Sequence, residues 1–284
     1  MKTTINHNKS FSGKHIDHFD GLKDISKLGA GDSYYIKKFM TITEETFLNL
    51  LKEINFVQMY NFTPNSKTTE VIPIPRLVSA QTDKSVQDSA HYRMPGCNQG
   101  NIPTTDWSPT VLFIKNQAEI ATGQKINHCV INLYFDENDS LAFHKDNLLD
   151  LEPNTGVISV SIGQSRPFLF NSTDTNHKQD INLQNGSLLY IGTKTNKRYV
   201  HSVPKLTNKV EPRLSLTFRH ISTYINETEN KVSGLGDLYQ TKDYPFTKSY
   251  SGEFCEEMLT IETKSFEKLT YLIQQLELRT SRPT

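Results

Sequence analysis

The stretch Arg213-Leu214-Ser215-Leu216-Thr217-Phe218-Arg219 alternates strictly between two kinds of side chain. In an extended segment Arg213, Ser215, Thr217 and Arg219 share one face, and Leu214, Leu216 and Phe218 share the other. That period reads as a strand with one face in an apolar core. The polar face then poses a problem, because a guanidinium buried without a partner is costly. Its two arginines must meet anions. A small dicarboxylate would supply them, and guanidinium binds carboxylate through paired hydrogen bonds. Ion pairs with Asp or Glu of neighbouring strands would serve as well.

Upstream of this strand the same period recurs. His128–Phe135, Val157–Ile162, Pro167–Phe170 and Ser187–Ile191 are short, β-rich and separated by Asn, Asp and Gly turns, and the final strand is expected to span Arg213–Ile221. Several such strands in succession predict a barrel or sandwich. Helices flank them. Thr41 or Thr43 caps a helix carrying Phe47, Leu48, Leu50, Leu51 and Ile54 at helical spacing. Ser108-Pro109 starts another, running to about Thr122 and ended by Gly123. A last helix is expected from Glu256 to Arg279, with Leu259, Phe266, Leu269, Leu272, Ile273 and Leu276 along one stripe. Tyr34-Tyr35-Ile36 reads as a short strand, and residues 60–106 as loops. The expected division is a polar arm over 1–32, a domain over 33–222, and an extension over 223–284.

Composition narrows the function classes. The 284 residues are 36% hydrophobic and 22% charged, with 31 basic and 31 acidic side chains, as in a soluble globular protein. No global basic field announces nucleic acid, so such a partner would need local positive charge. Lys194, Lys197, Arg198, Lys205, Lys209 and Arg213 provide one cluster, opposed by Glu211 alone; a solvated loop face is the plain alternative. The acidic Glu253, Glu256, Glu257 and Glu262 disfavour nucleic acid at the last helix. Three cysteines without a CxxC pair argue against a disulfide framework or a thiolate zinc site and fit a reducing compartment. No apolar run approaches the ~18 residues needed to span a bilayer, so an intracellular, soluble protein is expected.

His144-Lys145-Asp146 offers a metal-ligand spacing, although HxD arises by chance in many proteins and a lone histidine more often serves the structure. Residues i and i+2 of an extended segment project to one side, so an imidazole and a carboxylate can reach one ion. His201, in Tyr199-Val200-His201-Ser202-Val203-Pro204, offers a second imidazole. Two histidines and a carboxylate bound on one face of Fe(II) leave positions open for a cosubstrate and O2.

Asn132-Leu133-Tyr134, then His144-Lys145-Asp146, then His201, then Arg213 through Arg219 follow in an order that resembles the AlkB family of nucleic-acid demethylases. Ile74-Pro75-Arg76, Trp107-Ser108-Pro109, Ser159-Val160-Ser161-Ile162-Gly163 and Gly186-Ser187-Leu188-Leu189 match intervening segments, so the likeness covers roughly residues 34–221. The resemblance implies an α+β protein with a mainly β core. Its fold would be a double-stranded β-helix (jelly-roll), with N-terminal helices packed on it and a C-terminal helical extension. It further implies Fe(II) on His144, Asp146 and His201, and 2-oxoglutarate on Asn132, Tyr134, Arg213, Ser215 and Arg219. With O2, such an enzyme oxidises a substrate C–H and yields succinate and CO2; an N-methyl group leaves as formaldehyde. DNA or RNA is the implied substrate.

Two positions depart from the family pattern. Leu148 stands where nucleobase demethylases commonly carry an Asp or Glu that bonds the target base, and Asp150 or Asn147 would have to compensate. Ser215 replaces the more usual Asn. In His91-Tyr92-Arg93, Tyr92 falls where related enzymes stack an aromatic on the base, although an ordinary loop tyrosine reads the same. Arg76 and Arg93 could contact phosphates or be surface charge. An oxygenase of the same fold acting on a protein or another non-nucleic substrate is the competing reading, favoured by Leu148 and zero net charge. A binding module that has lost catalysis is the third, disfavoured by the intact triad and arginines.

Overall fold

Two sheets lie face to face, and the alternation in Arg213–Arg219 explains their layering. A computed structural model describes residues 28–62, 71–84, 88–94, 102–226, 228–229, 231–238 and 256–281. The expected arm therefore lies outside the described residues up to position 27, as do Cys97, Glu253 and Cys255.

The larger sheet runs Tyr34–Ile36, Ser187–Ile191, Val157–Gly163, Arg213–Arg219, His128–Tyr134, Leu77–Thr82 and Thr104–Thr105, in that spatial order. The smaller runs Lys178–Leu183, Arg166–Ser172, Tyr199–Val203 and Leu141–His144. Pairing within both is antiparallel, except that the Thr104–Thr105 edge joins in parallel. This is the double-stranded β-helix core with strands dominating and helices packed outside.

Leu214, Leu216 and Phe218 point away from the smaller sheet, into a cluster shared with three helices. These are α1 (Glu44–Glu53), α2 (Pro109–Thr122) and the long C-terminal helix, Glu256–Thr280. The opposite faces of both sheets enclose a second cluster around Val130, Tyr134, Phe168 and Phe170. Thr43 caps α1 by accepting a hydrogen bond from Thr46 N at 3.1 Å. Gly123 ends α2 at φ 66, a backbone conformation that glycine adopts without a Cβ penalty. Ser108 precedes α2 as expected but does not cap it; its hydroxyl meets Gln81 Nε2 at 3.2 Å instead.

The loops expected over 60–106 need correction. Leu77–Thr82 is a strand inside the larger sheet, buried at all six positions, and Tyr60–Phe62 pairs with Val71–Pro73. Asp88–Ala90 also pairs, with Thr223–Asn226, which in turn pairs with Lys231–Gly234. Leu77–Thr82 carries no strand signal in the sequence because a strand covered on both faces shows no alternation. Two short helices were also unforeseen, α3 (Thr193–Arg198) and α4 (Leu235–Leu238). The C-terminal helix, α5, buries Leu269 and Leu276 in the cluster with α1. Among the described residues no helix is long and apolar enough to cross a membrane.

Candidate active site

The smaller sheet carries one half of the site. His144 ends its strand directly opposite His201, and the two rings meet edge to face at 4.3 Å. Asp146 follows in irregular backbone, and one donor atom from each of the three residues lies within 4.8 Å of the others. His201 Nε2 is 3.4 Å from Asp146 Oδ2. His144 Nδ1 lies 2.9 Å from the carbonyl of Ala142. A carbonyl only accepts, so Nδ1 holds the proton and Nε2 keeps its lone pair for a metal. Burial pushes the His144 pKa down to about 4, helped by His201 and opposed by Asp146, so the ring is neutral near pH 7. Burial alone would raise Asp146, but Arg219, with His201 and His144, outweighs it and holds the carboxyl well below the usual carboxylate range. Two imidazoles, that of His144 held neutral, and a buried carboxylate form a donor set suited to a divalent cation.

The larger sheet carries the other half. Arg213 pairs in register with Tyr134, and Ser215 with Asn132, so all four face the same cavity. That cavity, about 70 Å³, lies between the sheets and reaches from His144, Asp146 and His201 to Arg213. Arg213 is 1% exposed, and its Nη2 donates to Ser161 Oγ at 2.9 Å. Its Nε and Nη1 have no hydrogen-bond partner among the described residues. The alternative left open by the sequence, an ion pair with a neighbouring strand, is therefore absent for Arg213 among those residues. A fully buried cation with two idle donors is what a bound carboxylate would satisfy. Arg219 differs. It forms a buried ion pair with Asp146 Oδ1 and lies over the Tyr92 ring at 4.2 Å.

Several residues read as substrate contacts are committed elsewhere. Tyr92 is 4% exposed, and its hydroxyl donates to Asp146 Oδ1 at 3.2 Å while accepting from Asn147 N at 3.0 Å. It lines the cavity, but one ring face is already taken by Arg219. Arg93 is buried in an ion pair with Asp150, Nη2 to Oδ1 at 2.6 Å, rather than presented to phosphates. Arg76 is buried too, donating to Asn132 Oδ1 at 2.7 Å and Ser140 O at 3.0 Å. Leu148 packs partly buried against the inner cluster. Neither polar neighbour replaces the missing carboxylate there. Asp150 holds Arg93 and Thr223, and Asn147 donates to Arg93 O at 3.3 Å and accepts from Leu149 N at 2.9 Å. Of the basic cluster, Arg213 is buried and Arg198 pairs with Asp174 at 2.8 Å.

Arg166 and Asn196 were missed. Arg166 is fully buried, donating to the carbonyls of Asp136, Asp139 and Pro204, with its guanidinium 5.8 Å from the Tyr134 ring. Asn196, in α3, bonds the backbone of Asp146. Neither had a local signal, since a strand-edge arginine and a helical asparagine are ordinary in sequence.

The family model described as the 2OG-Fe(II) oxygenase superfamily matches residues 32–219. DNA oxidative demethylase ALKBH2 of Homo sapiens is 34% identical over 123 residues, which span 40% of this chain and 47% of that protein. Alpha-ketoglutarate-dependent dioxygenase alkB homolog 3 of Bos taurus is 33% identical over 132 residues, 42% of this chain and 45% of that protein. Uncharacterized protein R406 of Acanthamoeba polyphaga mimivirus is 30% identical over 159 residues, 55% of this chain and 78% of that protein. The chain thus spans about half the length of the first two relatives.

Proposed function

The chain belongs to the 2OG-Fe(II) oxygenase superfamily, and from that premise we propose that it oxidatively demethylates alkylated nucleobases in DNA or RNA. The observation that carries the cosubstrate assignment is the buried guanidinium of Arg213. Its two partnerless donors lie at the end of a cavity whose other end is the cluster of His144, Asp146 and His201. When bound, Fe(II) with 2-oxoglutarate and O2 supplies oxidation of a substrate C–H, releasing succinate and CO2.

The residues divide the remaining work. His144 and His201 would offer imidazole donors, and Asp146 would offset part of the ion's charge. Arg213 holds the distal carboxylate of 2-oxoglutarate, with Tyr134 beside it and its positive end reinforced by Arg166. Ser215 and Asn132 line the path between, Ser215 hydroxyl-to-hydroxyl with Ser159 at 3.1 Å. Arg219 neutralises Asp146 Oδ1 and leaves Oδ2 beside His201 Nε2, where it would be available as a metal ligand. The apolar lining from Met94, Leu141, Val203 and Phe168 limits water around the reacting carbon. An N-methyl oxidised there becomes a hydroxymethyl, which collapses to formaldehyde and the free amine.

The nucleic-acid substrate rests on the relatives. ALKBH2 is named a DNA oxidative demethylase, and its matched segment aligns with this chain. A protein or other non-nucleic substrate is the second reading. Leu148 favours it, with Asp150 and Asn147 both engaged in holding Arg93, because neither is then left to read a base edge.

The test is incubation with Fe(II), ascorbate, 2-oxoglutarate and oligonucleotides bearing 1-methyladenine or 3-methylcytosine. Mass spectrometry reads succinate and the loss of methyl mass, with His144→Ala as control. Demethylation absent from the control supports the proposal. Succinate with every oligonucleotide unchanged moves the substrate to proteins or small molecules. No succinate under any condition counts against the catalytic assignment.

A further inference from the structure

Of the three metal-site side chains, only Asp146 sits outside a strand. His144 and His201 inherit their positions from a paired ladder, but among the described residues no sheet hydrogen bond holds the backbone at 146. Asn196 does. Its Oδ1 accepts from Asp146 N at 2.9 Å, and its Nδ2 donates to Asp146 O at 2.8 Å. A carboxamide presents one acceptor and one donor in the same plane, as a peptide group does, so Asn196 stands in for the missing neighbouring strand. It is 2% exposed.

Asn196 is itself anchored. Its backbone N–H closes the first turn of α3 onto Gly192 O at 2.9 Å, and Asp32 holds that turn by accepting from Lys194 N at 2.7 Å and Thr195 N at 3.0 Å. From α3 the chain passes directly into Tyr199–Val203, the strand that carries His201. The same short element therefore determines where two ligands stand relative to each other. On the side chain of Asp146, Tyr92 and Arg219 both donate to Oδ1, which turns Oδ2 toward His201.

We propose that Asn196 is a positioning residue of the metal centre, pairing with both backbone polar groups of Asp146 to hold that carboxylate in register with His144 and His201. The proposal rests on the metal-site reading above, and its test separates the two. Purified protein comprising all 284 residues is titrated with Co(II) in the presence of 2-oxoglutarate, followed by visible absorption. The chains compared are the unsubstituted protein, Asn196→Ala, Asn196→Asp, His144→Ala and Leu276→Ala. Leu276, on α5, lies in the outer core and controls for general loss of stability.

Residues that orient metal ligands typically contribute about 10–100-fold to metal affinity. Asn196→Ala is expected to weaken Co(II) within that range and to alter the ligand-field bands, while Leu276→Ala lowers Tm and leaves Co(II) affinity unchanged. Asn196→Asp keeps the acceptor for Asp146 N–H but sets an oxygen against its carbonyl, and an intermediate loss is expected. A folded Asn196→Ala that binds Co(II) as tightly as the unsubstituted protein overturns the proposal and leaves the metal site standing. Failure of both Asn196 variants to fold overturns it as well, since the clip would then serve the fold rather than the metal. No Co(II) binding by the unsubstituted protein overturns the metal site and this proposal together.

Discussion

Arg213 shows most directly what a single side chain can imply. Its charge is fully buried, burial lowers its pKa, and two of its donors have no partner among the described residues. Without an anion beside it, the guanidinium is expected to destabilise the fold. Arg213→Met is expected to raise the apparent KM for 2-oxoglutarate by about 10–100-fold, the worth of a charged hydrogen bond of ~1.5–3 kcal/mol. The same variant should be no less stable than the unsubstituted protein when cosubstrate is withheld. Succinate formation against 2-oxoglutarate concentration, with thermal melts, measures both; an unchanged KM would remove Arg213 from the cosubstrate site. Arg93 makes the opposite case. It is a buried cation whose partner, Asp150, is fully buried beside it. Arg93→Met strands that carboxylate and is expected to cost about 3–5 kcal/mol in urea denaturation. A loss below about 1 kcal/mol would mean that the pair is exposed in solution, as a phosphate contact would require. The two arginines are indistinguishable as residue types; only their partners separate them.

At the scale of elements, the periodic segments were the legible ones. The alternation in Arg213–Arg219 sends Leu214, Leu216 and Phe218 to the helices and the arginines to the cavity, as the pattern requires. α1, α2 and α5 were readable from apolar spacing and end signals. Leu77–Thr82 was not, because it is buried at every position and shows no period. We propose that α5, although it belongs to the sequence extension, acts as a buttress of the core. Leu276 lies with α1 in the outer cluster, flanked by an ion pair of Lys52 with Glu277 at 2.5 Å. That exposed pair adds little. Leu276→Ala is expected to cost about 2–3 kcal/mol, from lost burial and the cavity left behind. Equilibrium denaturation reads it, and a change under about 0.5 kcal/mol would mean that α5 detaches in solution.

Across the whole molecule the buried histidines couple stability to pH. Burial holds His91 near pKa 4, with Arg93 adding to the shift and Asp150 opposing it; burial likewise holds His144 near 4. Burial, Arg219 and His91 together hold His128 well below its ordinary value. In the unfolded chain each returns to about 6.5. Between pH 6.5 and 4 the unfolded state therefore binds more protons than the folded state, so stability is full above 6.5 and falls as pH drops through this window. Urea midpoints of the metal-free protein in EDTA should fall between pH 7 and pH 5. A flat profile would show that these rings are solvated or carry charge in the fold.

By itself the sequence determined what depends on local order. That includes the strand alternation, the helix stops, the HxD spacing, and the succession of motifs that identified the family across residues 34–221. These are properties of neighbours along the chain, and the backbone periods of two and 3.6 turn them into faces. Only the tertiary structure decided which polar residues are free to act. Tyr92 meets Asp146 from 54 positions away, Asn196 from 50 and Arg219 from 73. Whether a tyrosine stacks on a ligand or holds a carboxylate, and whether an arginine awaits an anion or already has one, depends on burial and on partners that the fold brings together. No local pattern encodes either, because desolvation and pairing are set by everything packed around a group at once.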